Sequence, residues 1–202
     1  MTAFSRPSSY VDGGPQWAIP QAAVDHLLAE GSFATGVPAF RAAMRHHAKG
    51  VAVITTDRET PAGFCATSLA TISLEPPILA FTVGLRSSSW PAVASARYVM
   101  IHLLAGDQAA LARRFGQPGT PRFGPGTRWH RDAFGLPVLE DVLACIVVSP
   151  VSHLPVGDHA LVLGRAIAAR HADSRGPLVH VSGQFLPLIV PPDPACASLQ
   201  TG

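Results

Sequence analysis

The sequence predicts a mainly β, barrel-like fold plugged by a few short helices, on three observations. First, apolar runs of strand length recur: Val51–Thr56, Ile78–Val83, Tyr98–Leu104, Leu143–Ser149 and His159–Arg170. Second, clusters of Gly, Pro and Ser separate these runs, and only short segments keep helical spacing. Third, strands and helices do not alternate as in βαβ units, and no G-x-G-x-x-G follows a strand. A parallel sheet with a Rossmann nucleotide site is therefore not expected. A chain of 202 residues can bury one good core, so a single domain is expected.

Residues 1–36, rich in Ser, Pro, Gly and Ala, read as an N-terminal arm. A short helix through Gln21–Glu30 would place Val24, Leu27 and Leu28 on one face. Pro38–Lys49 reads as a helix with Pro38 in its first turn, Phe40, Met44 and His47 on one side, and Gly50 as the stop. His46 and His47 lack a supporting His or carboxylate offset, so no metal is expected. Val51–Thr56 is a buried strand, and Asp57–Pro61 a polar hairpin connection.

The stretch Gly63–Pro77 organises the rest. It is apolar enough for burial, yet carries Thr67, Ser68, Thr71 and Ser73. A buried hydroxyl without a partner costs roughly 1–3 kcal/mol, so these need backbone, water or a ligand. Gly63 would let main chain approach a flat ring, and Glu75-Pro76-Pro77 closes the segment. Ile78–Val83 follows as a strand. In Gly84–Pro91, Ser88 or Ser89 would cap a helix with Pro91 in its first turn, and the helix-start amides, the hydroxyls and Arg86 would form an anion site.

Tyr98–Leu104 is a strand, and Gly106-Asp107 opens a helix over Gln108–Phe115. Gly116–Ala133, a Gly/Pro-rich loop holding Arg122, Phe123, Arg128, Trp129 and His130, reads as a lid. Leu143–Ser149 and His159–Arg170 are strands joined through Pro150–Asp158, where Gly157-Asp158-His159 tightens the turn. Pro177–Leu188 carries a last strand, Leu178–Phe185, and 189–202 is a tail.

Composition narrows the function classes. The chain is 48% hydrophobic and 14% charged, an apolar balance that a subunit interface would absorb. A net charge of +2, with dispersed basic residues, does not suggest nucleic acid. No apolar run approaches the ~18 residues of a membrane span, and Met1–Pro7 lacks the apolar region of a signal peptide. Cys65, Cys145 and Cys196 form no C-x-x-C, which argues against a zinc ribbon or redox dithiol and suits a reducing cytoplasm. G-x-S-x-G, H-E-x-x-H and Walker patterns are all missing.

Three segments together are more specific than composition. Gly50-Val51-Ala52-Val53-Ile54-Thr55-Thr56, then Ala62–Ser68, then Ser73-Leu74-Glu75-Pro76-Pro77 resemble the flavin reductase-like family, from about Phe40 to about Leu188. The resemblance implies an FMN-binding, Greek-key-like split β-barrel over residues 37–188. It also implies an NAD(P)H:flavin oxidoreductase, homodimeric and cytoplasmic, that reduces FAD or FMN with NADH (or NADPH) and supplies reduced flavin to a partner monooxygenase.

The contacts the resemblance implies fall into three groups. Gly63, Cys65, Thr67 and Ser68 would meet the flavin ring, and Thr82, Val83, Leu85, Ser87, Ser88 and Ser89 its phosphate-bearing tail. Phe115, at a helix end near the flavin in this family, would pack the ring or the core. Gly157, Asp158 and His159 would meet the nicotinamide nucleotide. No catalytic acid or base is required, since the isoalloxazine carries the hydride chemistry. Two departures stand out: Gly164-Arg165-Ala166 where relatives have Gly-x-Val, and His180 where many have Tyr and Arg nearby. The alternatives are a split-barrel flavoprotein holding FMN tightly and a non-catalytic ligand-binding module.

Overall fold

The computed structural model describes residues 20–31, 33–172 and 175–190, and the chain divides into two compact units, 1–47 and 48–202. The expected arm up to residue 19 and the tail from 191, with Cys196, lie outside the described residues. The first unit contains α1 (Gln21–Ala29) and α2 (Gly36–Met44). Pro38 falls in the first turn of α2, as expected, but the helix ends short of Lys49. Lys49 and Gly50 instead form a short strand, β1 (Lys49–Gly50), so Gly50 is not a helix stop.

In the second unit, β2 (Ala52–Asp57), β3 (Pro61–Ala66), β4 (Ala70–Leu74) and β5 (Pro77–Gly84) follow in order. Then come α3 (Trp90–Ala94), β6 (Val99–Leu103) and α4 (Ala109–Gly116). The remainder is β7 (Trp129–Arg131), β8 (Pro137–Leu139), β9 (Ala144–Val156), β10 (His159–His171), β11 (Leu178–Val181) and β12 (Gln184–Pro187). Seven strands form one antiparallel sheet in the order β3-β2-β6-β9-β10-β5-β4, and β11 pairs with both β1 and β12 in a smaller sheet. The large sheet curls on itself. Phe64 of β3 and Phe81 of β5, five places apart in strand order, bring their rings within 6.3 Å inside it. This is the mainly β, barrel-like architecture the sequence predicts.

Alternation along β2 explains why its run is apolar throughout. Ala52 and Ile54 point into the barrel interior with Phe64, Phe81 and Val162. Val53 points the other way, into a second core with Phe115, Leu139 and Leu178. A strand buried on both faces cannot alternate polar and apolar residues. Its two buried hydroxyls are satisfied: Thr55 donates to the Pro137 carbonyl (2.5 Å) and Thr56 to the Tyr98 carbonyl (3.0 Å).

Three sequence expectations need correction here. Pro150–Val156 is not a connection but the second half of β9, and the link to β10 is only Gly157-Asp158, with Gly157 at φ +59°. The long hairpin tolerates Pro150 because the register shifts there, opposite Gly164, where a Cβ would lie 2.3 Å from Val148 Cγ1. The final strand is a hairpin, β11–β12, turned by Ser182-Gly183 with both φ values positive. The loop expected over 116–133 ends in β7, which pairs with β8.

Candidate functional site

The hydroxyl-rich stretch splits in two. Its first half, Gly63–Ala66, is mostly buried. Its second half, Ala70–Leu74, is mostly exposed on the outermost strand, so Thr71 and Ser73 do not need buried partners. Between them, Ser68 turns back onto β5: its hydroxyl accepts the Thr82 amide at 2.9 Å. Thr67, half-buried, precedes it.

The serine triplet follows directly from the end of β5. Ser89 does not cap α3 with its side chain, contrary to expectation, and α3 is only five residues long. Its hydroxyl instead donates to the Gly63 carbonyl at 2.9 Å, tying the segment to β3. Ser87 Oγ accepts the Ser89 amide at 3.2 Å. Gly63 itself proves to be a packing glycine: a Cβ there would lie 2.9 Å from Phe115 Cε1 and 3.0 Å from the Ile54 carbonyl oxygen. Phe115 is 1% exposed and meets Phe123 edge-on at 5.3 Å, so it is placed as core behind the site. Val83, equally buried, packs into the core with Phe81 and Ala160 and is not presented to the site.

The third predicted group comes to the same sheet end. His159 of β10 pairs with Gly84 of β5, and the Leu85 amide donates to the Asp158 carbonyl at 3.0 Å. Asp158 Oδ1 and His159 Nδ1 are 2.7 Å apart. That contact, and then the charge of His159, holds the exposed Asp158 carboxyl below its ordinary range. Cys65 is half-buried, and burial pushes its thiol up to about 11. It is therefore protonated at neutral pH and unsuited to act as a nucleophile.

Sequence reasoning set Arg86 beside the serines and Arg122 in a lid, whereas it is Arg122 that reaches the serine hydroxyls. Arg122 Nη1 donates to Ser89 Oγ at 3.0 Å and to Ser88 Oγ at 3.3 Å. A cavity of about 430 Å³ opens there between Thr60–Gly63, Ser88–Ser89 and Thr120–Gly124. The segment expected to be a lid is tied down as a wall. Thr127 donates to the Arg122 carbonyl at 2.7 Å, Arg114 donates to the Pro125 carbonyl at 2.8 Å, and Trp129 Nε1 donates to the Phe123 carbonyl at 3.2 Å. The available signal was the lone charge in Pro121-Arg122-Phe123-Gly124, between core-forming aromatics.

Arg86 is exposed on this same segment. Among the described residues no group of His, Cys, Asp and Glu could hold a metal ion. The donors gathered here suit a ligand with a polar ring edge and a phosphate, matched by hydroxyls, main-chain groups and one guanidinium.

Comparison with known proteins gives a consistent outcome. The flavin reductase like domain family matches residues 44–188. An NADH:FMN oxidoreductase of Rhodococcus qingshengii is 37% identical over 170 residues, covering 80% of this chain and 88% of the relative. The reductase subunit HsaB of a flavin-dependent monooxygenase from Rhodococcus jostii is 33% identical over 147 residues, covering 72% and 75%. Among solved structures, a flavin reductase domain protein from Arthrobacter sp. FB24 superposes with TM-score 0.70 at 34% identity, covering 76% of this chain and 96% of that one.

Proposed function

This chain belongs to the flavin reductase-like family, and on that footing we propose that it is an NAD(P)H:flavin oxidoreductase. It reduces FAD or FMN with NADH and supplies diffusible reduced flavin to a partner monooxygenase. The observation that carries this reading is the convergence of Ser68, Ser87–Ser89 and Asp158-His159 around the C-terminal end of β5.

Bound flavin supplies the hydride-accepting ring, and the chain contributes orientation and hydrogen bonds. Cys65, Thr67 and Ser68 edge the ring, with Gly63 and Phe115 supporting the wall from behind. The end of β5 and the start of the next segment, Thr82, Val83 and Leu85, border the ribityl and phosphate part, which the serine hydroxyls receive. Gly157, Asp158 and His159 meet the nicotinamide nucleotide. Asp158 occupies Nδ1 of His159 and leaves Nε2 for the ligand.

Assembly as a homodimer is supported by Ile72 (57% exposed) and Leu74 (84% exposed) on the uncovered strand β4. No helix among the described residues is long and apolar enough to cross a membrane. Free Cys65 and Cys145 fit a reducing cytoplasm.

Oxidation of NADH and NADPH, followed with FAD, FMN and riboflavin in turn, tests the reading. The expected result is NADH oxidation that depends on added flavin, from a protein that is colourless after desalting. Yellow colour surviving desalting would favour tightly held FMN, and no oxidation with any flavin would contradict a reductase. His159→Ala is expected to raise the KM for NADH several-fold with flavin affinity unchanged. Unaltered NADH kinetics would remove His159 from the site.

A further inference from the structure

A second cavity, of about 310 Å³, lies where β6, β9 and β10 run side by side, and it shares no lining residue with the one beside Arg122. Its size falls at the lower end of the roughly 300–1,000 Å³ of small-molecule sites. Strand register explains its make-up. Met100, Val147 and Ala168 stand opposite one another on the three strands, and two places along so do His102, Cys145 and Arg170. Residues two apart on a strand share a face, so both rows look the same way.

The first row is apolar. Met100 and Val147, with Val138 of β8, are buried and form the floor. The second row brings a charge. His102 is spent on Val53 and Leu139, and the charge of Arg170 acts against its protonation. The Cys145 thiol meets the Arg170 guanidinium but is kept protonated by burial, so it brings no negative charge. Among the described residues no carboxylate is ion-paired with Arg170. Asp132, the one carboxylate lining the cavity, is held by its own turn, where Oδ1 accepts the Phe134 and Leu136 amides at 2.9 and 2.8 Å. His130 also lines the cavity, with Nδ1 3.8 Å from Glu140 and Nε2 left over.

The cavity is preformed and has an entrance. Its β8 wall is fixed by the Thr55 hydroxyl on the Pro137 carbonyl and by the Leu139 amide on His102. On the other side, β10 pairs with β5 only as far as Arg165. Its register against β9 shifts between Ala166 and Ala168, and Ala168 and Ala169 are exposed. An irregular strand with small side chains and no further neighbour leaves a mouth there.

We propose that this cavity binds a small aromatic carboxylate, its ring on Met100 and Val147 and its acid group on Arg170. A thioether favours contact with an aromatic ring, and a guanidinium is the planar partner of a carboxylate. The assignment does not depend on the flavin reading.

The test is calorimetric titration of benzoate, and of its neutral counterpart benzyl alcohol, into wild type, Arg170→Gln and Ala168→Trp. Wild type is expected to bind benzoate saturably and at least about tenfold more tightly than benzyl alcohol, as a charge-assisted contact gives. Arg170→Gln should erase that preference and leave benzyl alcohol binding as it was. Ala168→Trp, a change at an exposed rim position, should close the mouth and abolish binding of both. FMN affinity, read separately by flavin fluorescence, should be equal in all three proteins.

No benzoate binding by wild type, or benzoate binding unaffected by Arg170→Gln, would overturn the assignment. So would displacement of benzoate by FMN, which would place it at the flavin site instead. If Arg170→Gln fails to fold, Ala168→Trp decides: undiminished benzoate binding there refutes this cavity. Absence of NADH oxidation with any flavin bears on the reductase reading alone.

Discussion

The two edges of the large sheet differ in everything except their place in the strand order. At one edge, β3 is covered: α4 lies against it, Phe115 presses on Gly63, and Ser89 and Arg122 close over its outer rim. At the other edge, β4 is bare, with Ile72 and Leu74 largely exposed and the ladder to β5 interrupted between Thr71 and Ser73. Both strands come from one continuous stretch of similar composition. Burial and use are set by what the rest of the chain lays over each strand. An enclosed edge can hold donors in fixed positions for a ligand. A bare one carries the unpaired main chain and apolar side chains that another subunit can cover.

The largest effect expected from this contrast lies in the covered half. His102 of β6 is fully buried between β2 and β8. Its Nε2 accepts the Leu139 amide at 3.0 Å, so Nδ1 carries the proton and donates to the Val53 carbonyl at 3.1 Å. A second proton would have to sit on Nε2, against the Leu139 N–H. Burial first, and the charge of Arg170 to a lesser degree, lower its pKa from 6.5 to about 4, while the bond to Val53 opposes the shift.

The unfolded chain thus takes up a proton at higher pH than the native one. The stabilisation is complete above pH 6.5 and is lost as pH falls to about 4. The loss amounts to roughly 3 kcal/mol. Denaturant unfolding at pH 7 and pH 4.5 checks this, and equal stability at both would show that His102 is not the buried neutral base described.

Next comes Gly63→Val. The first added carbon already meets the Ile54 carbonyl, which cannot swing away as a side chain can. Overpacking of this kind costs about 2 kcal/mol, visible as a lower melting temperature. Ile72→Asp on the bare edge should change the stability of the single chain by less than about 0.5 kcal/mol, yet shift the proposed homodimer to monomer in sedimentation. If Ile72→Asp destabilises as much as Gly63→Val and leaves the oligomeric state alone, the contrast between the edges is wrong.

The strands of the central sheet were legible because burial on both faces leaves a simple mark, an unbroken apolar run such as Val51–Ile54. The resemblance led to three groups of proposed site residues, and members of all three lie around the C-terminal end of β5. Less legible was whatever depends on tertiary cover. Thr71 and Ser73 look like buried hydroxyls until the edge position of β4 is known. Ser89 reads as a helix cap until Gly63 is seen opposite it. Arg122 sits in a loop whose sequence says Gly and Pro, and its partners lie more than thirty residues away. The Ser182-Gly183 turn was readable, since Ser-Gly marks turns, but the apolar flanks hid it inside one long strand.

The central claim is that chain near Thr67-Ser68 and the serines after β5 meet one flavin. Titration of FMN into wild type and Ser87→Asp tests it most directly, because a carboxylate placed there repels the phosphate without touching the core. The Kd is expected to rise at least about tenfold, in line with a like-charge contact replacing a hydrogen bond. An unaltered Kd would put the flavin phosphate elsewhere on the molecule.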